Sequence, residues 1–225
     1  MKIEIWSDYA CPFCYIGEKR LERALAEVGD ENISVEFKSF ELDPYAEKKV
    51  TSSTPERFAE KYGLSLAAAE ERIEQISLMG RREGIDFKYS TTRYTNTFDA
   101  LRLTKFAQEK NHDEIIAKLF DAYFTKNLEL SDHAVLKKIA VECGLDAAEV
   151  DDVLSGERYG EDVRADELQA AQLGIHGVPY FVVGGKYGLS GAQPVEILKQ
   201  AITDALNEEN FSGMTCGADG CHFDG

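Results

Sequence analysis

The chain has 225 residues, 44% hydrophobic and 29% charged, enough to close a core without disulfide staples. Asp and Glu number 41 against 25 Lys and Arg, and the resulting net charge of −16 argues against nucleic acid as a partner. No apolar run reaches the length needed to span a bilayer, so no membrane role is expected.

The opening MKIEIWSD alternates apolar and polar residues and reads as a first strand ending near Ser7. It lacks the long apolar core of a signal peptide, so a cytoplasmic protein is expected. From Ile16 the period changes. Leu21, Ala24, Leu25 and Val28 share one helical face, and Gly29 follows as a stop. In ISVEF, Ile33, Val35 and Phe37 alternate as a second strand, completing a βαβ unit with a right-handed crossover.

The middle of the chain is helical. Thr54 as N-cap before Pro55 opens a short helix that Gly63 closes, and Ser65 opens a longer one. Another starts near Thr97. Asp113 caps a helix with Ile115, Ile116, Leu119, Phe120 and Tyr123 inside, and Ser131 caps one with Leu136, Ile139, Ala140 and Cys143 in phase. Asp146 to Glu149 has capping-box spacing, and a last helix of this run spans 157–173.

The strand period then returns in PYFVV. Gly184-Gly185 suits a type I′ turn, and KYGLSG is the partner strand. Pro194 opens a final helix with Leu198, Ala201, Ile202 and Ala205 on one side. Without its middle helices the chain is βαβ followed by helix, hairpin and helix. This is an α/β thioredoxin fold with a large all-helical insertion between its two halves. The expected boundaries are 1–40 and 157–207 for the thioredoxin-like domain, 41–156 for the insertion and 208–225 for a glycine-rich flexible tail.

Cys11-Pro-Phe-Cys14 falls where the first strand gives way to the first helix. Free N–H groups and the positive end of the helix dipole stabilise an anion there. Thiols in such pairs drop from about 8.5 to roughly 3.5–7.5 in pKa. Cys11, expected to be the more exposed, would form a mixed disulfide with a client, and the more buried Cys14 would resolve it. Zinc sites use the same spacing, but would need a second cluster such as Cys216, Cys221 and His222.

The segment DYACPFCYIGEKRLERAL resembles the opening of the DsbA-like thioredoxin family, in its FrnE-like cytoplasmic branch. The likeness continues in NTFDALRLTKFA, in LGIHGVPYFVVGGKYGLSGAQP and in MTCGADGCHFDG, so it covers nearly the whole chain. It implies a cis peptide bond between Val178 and Pro179, with the backbone of Val178 turned towards Cys11. It also implies that Cys216 and Cys221 form a second redox pair exchanging disulfides with the first. The superfamily includes 2-hydroxychromene-2-carboxylate isomerases and kappa-class glutathione transferases, which typically carry a serine where this chain has a cysteine pair.

The expected function is therefore a protein thiol–disulfide oxidoreductase or disulfide isomerase, with no resident cofactor or metal. A glutathione-dependent isomerase or transferase acting on small aromatic compounds is the alternative. Its partners would be protein thiols and disulfides, with glutathione or a thioredoxin-type protein as reductant, and the chain would be a monomer or homodimer. His176, three residues before Pro179, is a candidate for tuning Cys11, and Asp8 is a candidate proton acceptor if buried. Cys143 reads as a core thiol. Phe13, Tyr15 and Tyr180 suit either an apolar rim or the core.

Overall fold

The computed structural model describes residues 1–212, 214–217 and 220–223, with side chains through residue 209. Strand β1 (Lys2–Ser7) leads into helix α1 (Pro12–Val28) and strand β2 (Ser34–Ser39). Helices α2 (Thr54–Tyr62), α3 (Leu66–Arg82), α4 (Phe98–Glu109), α5 (Glu114–Phe124), α6 (His133–Glu142), α7 (Ala147–Ser155) and α8 (Gly160–Gln172) follow. The hairpin β3 (Tyr180–Val183) and β4 (Tyr187–Ser190) precedes α9 (Val195–Ser212).

The sheet order is β2-β1-β3-β4. β1 runs parallel to β2 with Ile5 opposite Phe37, and antiparallel to β3 with Trp6 opposite Tyr180. Gly184 and Gly185 turn the hairpin with φ of 60° and 68°, as a type I′ turn requires. Alternation along β1 decides the layers. Ile3 and Ile5 face α1 and α9, where they pack with Leu21, Phe181, Leu198 and Ile202. Trp6 faces the other way into a small core with Ala170 of α8 and Ile175. Its indole N–H donates to the Asp166 carbonyl at 3.0 Å. The fold is thus a four-stranded thioredoxin sheet clasped between helices, with α2–α7 inserted after β2.

The insertion shares its core with the start of α1. Tyr9, Cys11, Cys14 and Tyr15 pack in one cluster with Phe87, Tyr89, Phe120 and Phe124. Tyr15 stacks on Phe120 with ring centroids 5.1 Å apart and planes within 4°. Buried Arg102 of α4 donates to the Arg158 and Gly156 carbonyls at 2.9 and 2.6 Å, and to Asp99 at 2.8 Å, tying α4 to the α7–α8 connection.

Two caps fall one residue from their expected positions. Ser53, not Thr54, caps α2, completing a capping box with Glu56, while the Thr54 hydroxyl donates to the Thr92 carbonyl at 2.9 Å. Asp132, not Ser131, caps α6, because Ser131 donates instead to the Lys48 carbonyl at 2.6 Å. The last helix also runs further than expected, to Ser212. Beyond it β5 (Met214–Gly217) and β6 (Gly220–Phe223) pair antiparallel with Cys216 opposite Cys221. The side chains of that pair, and the zinc alternative that needs them, lie outside the described residues.

Candidate active site

Helix α1 begins at the cysteine pair. Cys11 is its N-cap, in extended conformation with φ −89° and ψ 114°, and Pro12 takes the first helical position, where a missing N–H removes no bond. The Cys11 N–H donates to the Asp8 carbonyl at 3.0 Å, and the Cys14 N–H donates to the Cys11 carbonyl at 3.1 Å. No acidic residue occupies the first turn, so the positive end of the dipole is left for the thiol.

Across from this turn the Val178–Pro179 peptide bond is cis. The Cys11 thiol donates to the Val178 carbonyl at 3.4 Å. Gly17 lets the two elements approach this closely. A Cβ there would stand 3.1 Å from both the Pro179 ring and the Phe181 ring. The structure thus brings Cys11, Cys14, Val178 and Pro179 together from opposite ends of the chain.

Both cysteines are buried, with Cys11 the slightly more exposed of the two. Cys11 is 4% exposed and Cys14 2%, because the insertion closes over the start of α1. Phe13 projects between them at 38% exposure and flanks an open groove of about 400 Å³ that Ile16, Arg20, Val178 and Gly191 also line. Of the three aromatic rim candidates, Tyr15 is core and Tyr180 half-buried, so only Phe13 is a surface group.

Cys14 is held as a thiol. Burial pushes its pKa well above the ordinary value, and its hydrogen bond and charge interaction with Cys11 add to this, against Ser7 and the Asp8 backbone. Asp8 is fully buried but committed. Its carboxylate accepts from the Leu42 N–H at 2.7 Å, the Thr97 hydroxyl at 2.9 Å and the Ala10 N–H at 3.0 Å. Burial raises its pKa and these donors oppose the rise. Asp8 therefore braces the turn that carries Cys11 against the chain after β2 and against α4. His176 is exposed, on the loop before Val178, with no side-chain hydrogen bond among the described residues. Cys143 is buried at the end of α6, where burial raises its pKa.

One residue escaped the reading of the sequence. Glu18 lies one helical turn beyond Cys14, and its Oε2 is buried without a hydrogen-bond partner. The signal was available: Cys14, Glu18, Leu21 and Leu25 fall at i, i+4, i+7 and i+11, so an acid stands in phase with the apolar face of α1.

A family model for the DSBA-like thioredoxin domain matches residues 2–203. The crystal structure of a probable DsbA oxidoreductase from Streptomyces coelicolor is 38% identical and superposes with a TM-score of 0.88, covering 100% of both chains. The uncharacterised protein YwbO of Bacillus subtilis (strain 168) is 27% identical over 206 residues, 90% of this chain and 96% of its own. A 2-hydroxychromene-2-carboxylate isomerase shares the fold at 14% identity, with a TM-score of 0.71 over 93% of this chain and 98% of its own.

Proposed function

Because the chain belongs to the DSBA-like thioredoxin domain family, a family of thiol–disulfide oxidoreductases and isomerases, we propose that it exchanges disulfides with protein thiols through Cys11 and Cys14. The observation that carries this reading is Cys11 at the N-cap position of α1, its thiol facing the Val178 carbonyl at 3.4 Å, with Cys14 buried behind it.

In the reducing direction the Cys11 thiolate attacks one sulfur of a client disulfide. A Cys11–client disulfide forms and the client's other sulfur leaves as a thiolate. Cys14, deprotonated, then attacks the Cys11 sulfur. The client's second thiolate departs, leaving a Cys11–Cys14 disulfide, so the client gains two electrons and the enzyme loses them. A dithiol protein of the thioredoxin type, or two glutathione thiols, would return them. The Val178 carbonyl and the Phe13 groove supply a polar and an apolar contact for an extended client beside Cys11. Cys216 and Cys221, opposite one another in the β5–β6 register, would form the second pair that exchanges with the first.

Insulin reduction with a dithiol reductant tests this reading. Cys11→Ser is expected to abolish the activity, and full activity in that variant would end the proposal. Peptide mapping of the oxidised protein after alkylation should show Cys11 joined to Cys14, Cys216 joined to Cys221, and Cys143 free.

A further inference from the structure

Three arginines are buried or half-buried: Arg20, Arg57 and Arg102. Arg20 donates to Glu83 and to the Ala192 carbonyl, both at 2.7 Å, and Arg102 donates to Asp99 at 2.8 Å. Arg57 of α2 is different. It makes no hydrogen bond and no ion pair among the described residues, and its Nε is buried without an acceptor. A partly desolvated cation with no counter-charge costs stability, yet the fold holds this one in place. Its guanidinium lies 3.6 Å from the centroid of the Tyr94 ring, and the Tyr94 hydroxyl donates to Asp43 at 3.2 Å.

Arg57 lines an open pocket of about 400 Å³ with Leu42, Asp43, Glu60, Lys61 and Tyr94. Asp43 is turned back on its own loop, accepting from the Tyr45 N–H at 3.1 Å as well as from Tyr94. Glu60 and Lys61 are both exposed, and their charges offset one another. The pocket adjoins the cysteine pair. The Leu42 N–H donates to the Asp8 carboxylate at 2.7 Å, and the Asp8 carbonyl accepts from the Cys11 N–H at 3.0 Å. One turn thus braces both the pocket wall and the attacking thiol. Tyr89 feels the charge of both Arg57 and Cys11.

We propose that Arg57 docks a carboxylate side chain of the protein client, so that the enzyme selects disulfides with an acidic residue near the attacked cysteine. This specificity rests on the oxidoreductase reading above. Carboxylate and guanidinium match in charge and in donor geometry, and the stacked Tyr94 ring fixes the guanidinium plane in advance. Exposed apolar groups around the pocket suit a polypeptide better than a small thiol such as glutathione. Leu42, in its wall, is 37% exposed. Tyr62 and Tyr45, within two residues of the lining residues Lys61 and Asp43, are 58% and 93% exposed. Tyrosine and arginine are also the residues that most often anchor protein contacts. The net charge of −16 repels acidic chains at long range, so the preference is confined to the client position that reaches Arg57.

Two sets of disulfide-linked peptides test this, identical but for a single Asp or Asn placed at each nearby position on either side of the attacked cysteine. At one position the wild type should reduce the Asp peptide with a kcat/KM on the order of 10-fold above that of its Asn partner, chiefly through KM. In Arg57→Met that ratio should fall to about one, whatever happens to the rate common to both peptides, and Arg57→Lys should keep part of it. A wild-type ratio near one at every position, or a preference that survives in Arg57→Met, would overturn the assignment while leaving the oxidoreductase reading intact. A wild type that reduces no peptide of either set would overturn both. Glutathione disulfide is the small acidic comparison: if Arg57→Met slows its reduction and leaves the peptide ratio unchanged, the client reading is refuted. NMR of the Arg57 guanidinium needs no substitution at that position. In Cys14→Ser with each peptide trapped on Cys11, its signals should move with the Asp peptide and not with the Asn one, and identical spectra would refute the docking.

Discussion

Glu18 makes a thermodynamic prediction that is independent of activity. Its carboxyl has an ordinary value of 4.5 when exposed in the unfolded chain and is raised to about 8 by burial in the folded one. Between those values the native state holds a proton that the unfolded state has released, so stability is greatest below 4.5 and falls as pH rises towards 8. At about 1.36 kcal/mol per unit the loss is on the order of 5 kcal/mol, a large share of the stability of an ordinary domain. Glu18→Gln removes the titration and keeps the shape. Urea unfolding of both proteins across this pH range reads the difference. The variant should gain on the wild type steadily with pH and unfold at clearly higher urea at pH 9. Parallel pH profiles would show that Glu18 ionises freely in the folded protein and would refute the reasoning.

Other substitutions follow from single contacts. Gly17→Ala pushes a methyl group against the Pro179 and Phe181 rings, now 3.1 Å from its position. Insulin reduction should fall sharply, while calorimetry shows a stability loss of only about 1–3 kcal/mol. Asp8→Ala strands the buried N–H of Ala10 and the buried Thr97 hydroxyl and should cost about 1–3 kcal/mol in urea unfolding for each one left unpaired. Arg102→Ala leaves the half-buried Gly156 and Arg158 carbonyls of the α7–α8 connection without this donor, while Asp99 keeps His133 Nε2 at 2.8 Å. A loss of about 1–3 kcal/mol, read by thermal unfolding, is expected. Gly80→Ala would place a Cβ 2.5 Å from the Phe87 ring, and it should lower the midpoint of unfolding and, by displacing a ring of the cluster that covers Cys11, raise the rate at which Cys11 is alkylated.

The sequence carried those features whose causes are local. Period alone distinguishes β1 from α1, and the glycine pair at 184–185 marks the hairpin because only such residues adopt two consecutive positive φ angles easily. The cysteine pair was legible because its spacing and its strand-to-helix position are both written in a dozen residues. Features settled by distant partners were not. Ser131 has a good capping side chain, but the Lys48 carbonyl takes its hydroxyl. Thr97 begins α4, yet its hydroxyl goes to Asp8 rather than to the helix it opens. The burial of Cys11 arises from residues 76 positions and more along the chain, such as Phe87 and Tyr89, folding back over α1. The acid at Glu18 was visible in the helical pattern, but its isolation depends on α5 and β2, which pattern analysis of one helix cannot supply.

The most direct test of the central claim is a trapping measurement. Cys14→Ser is incubated with a disulfide-linked peptide, and the product is digested without reduction and mapped by mass spectrometry. If Cys11 is the attacking thiol and Cys14 the resolving one, the variant accumulates a stable peptide adduct on Cys11 that the wild type clears. No adduct on Cys11, or an adduct on Cys143 instead, would contradict the account.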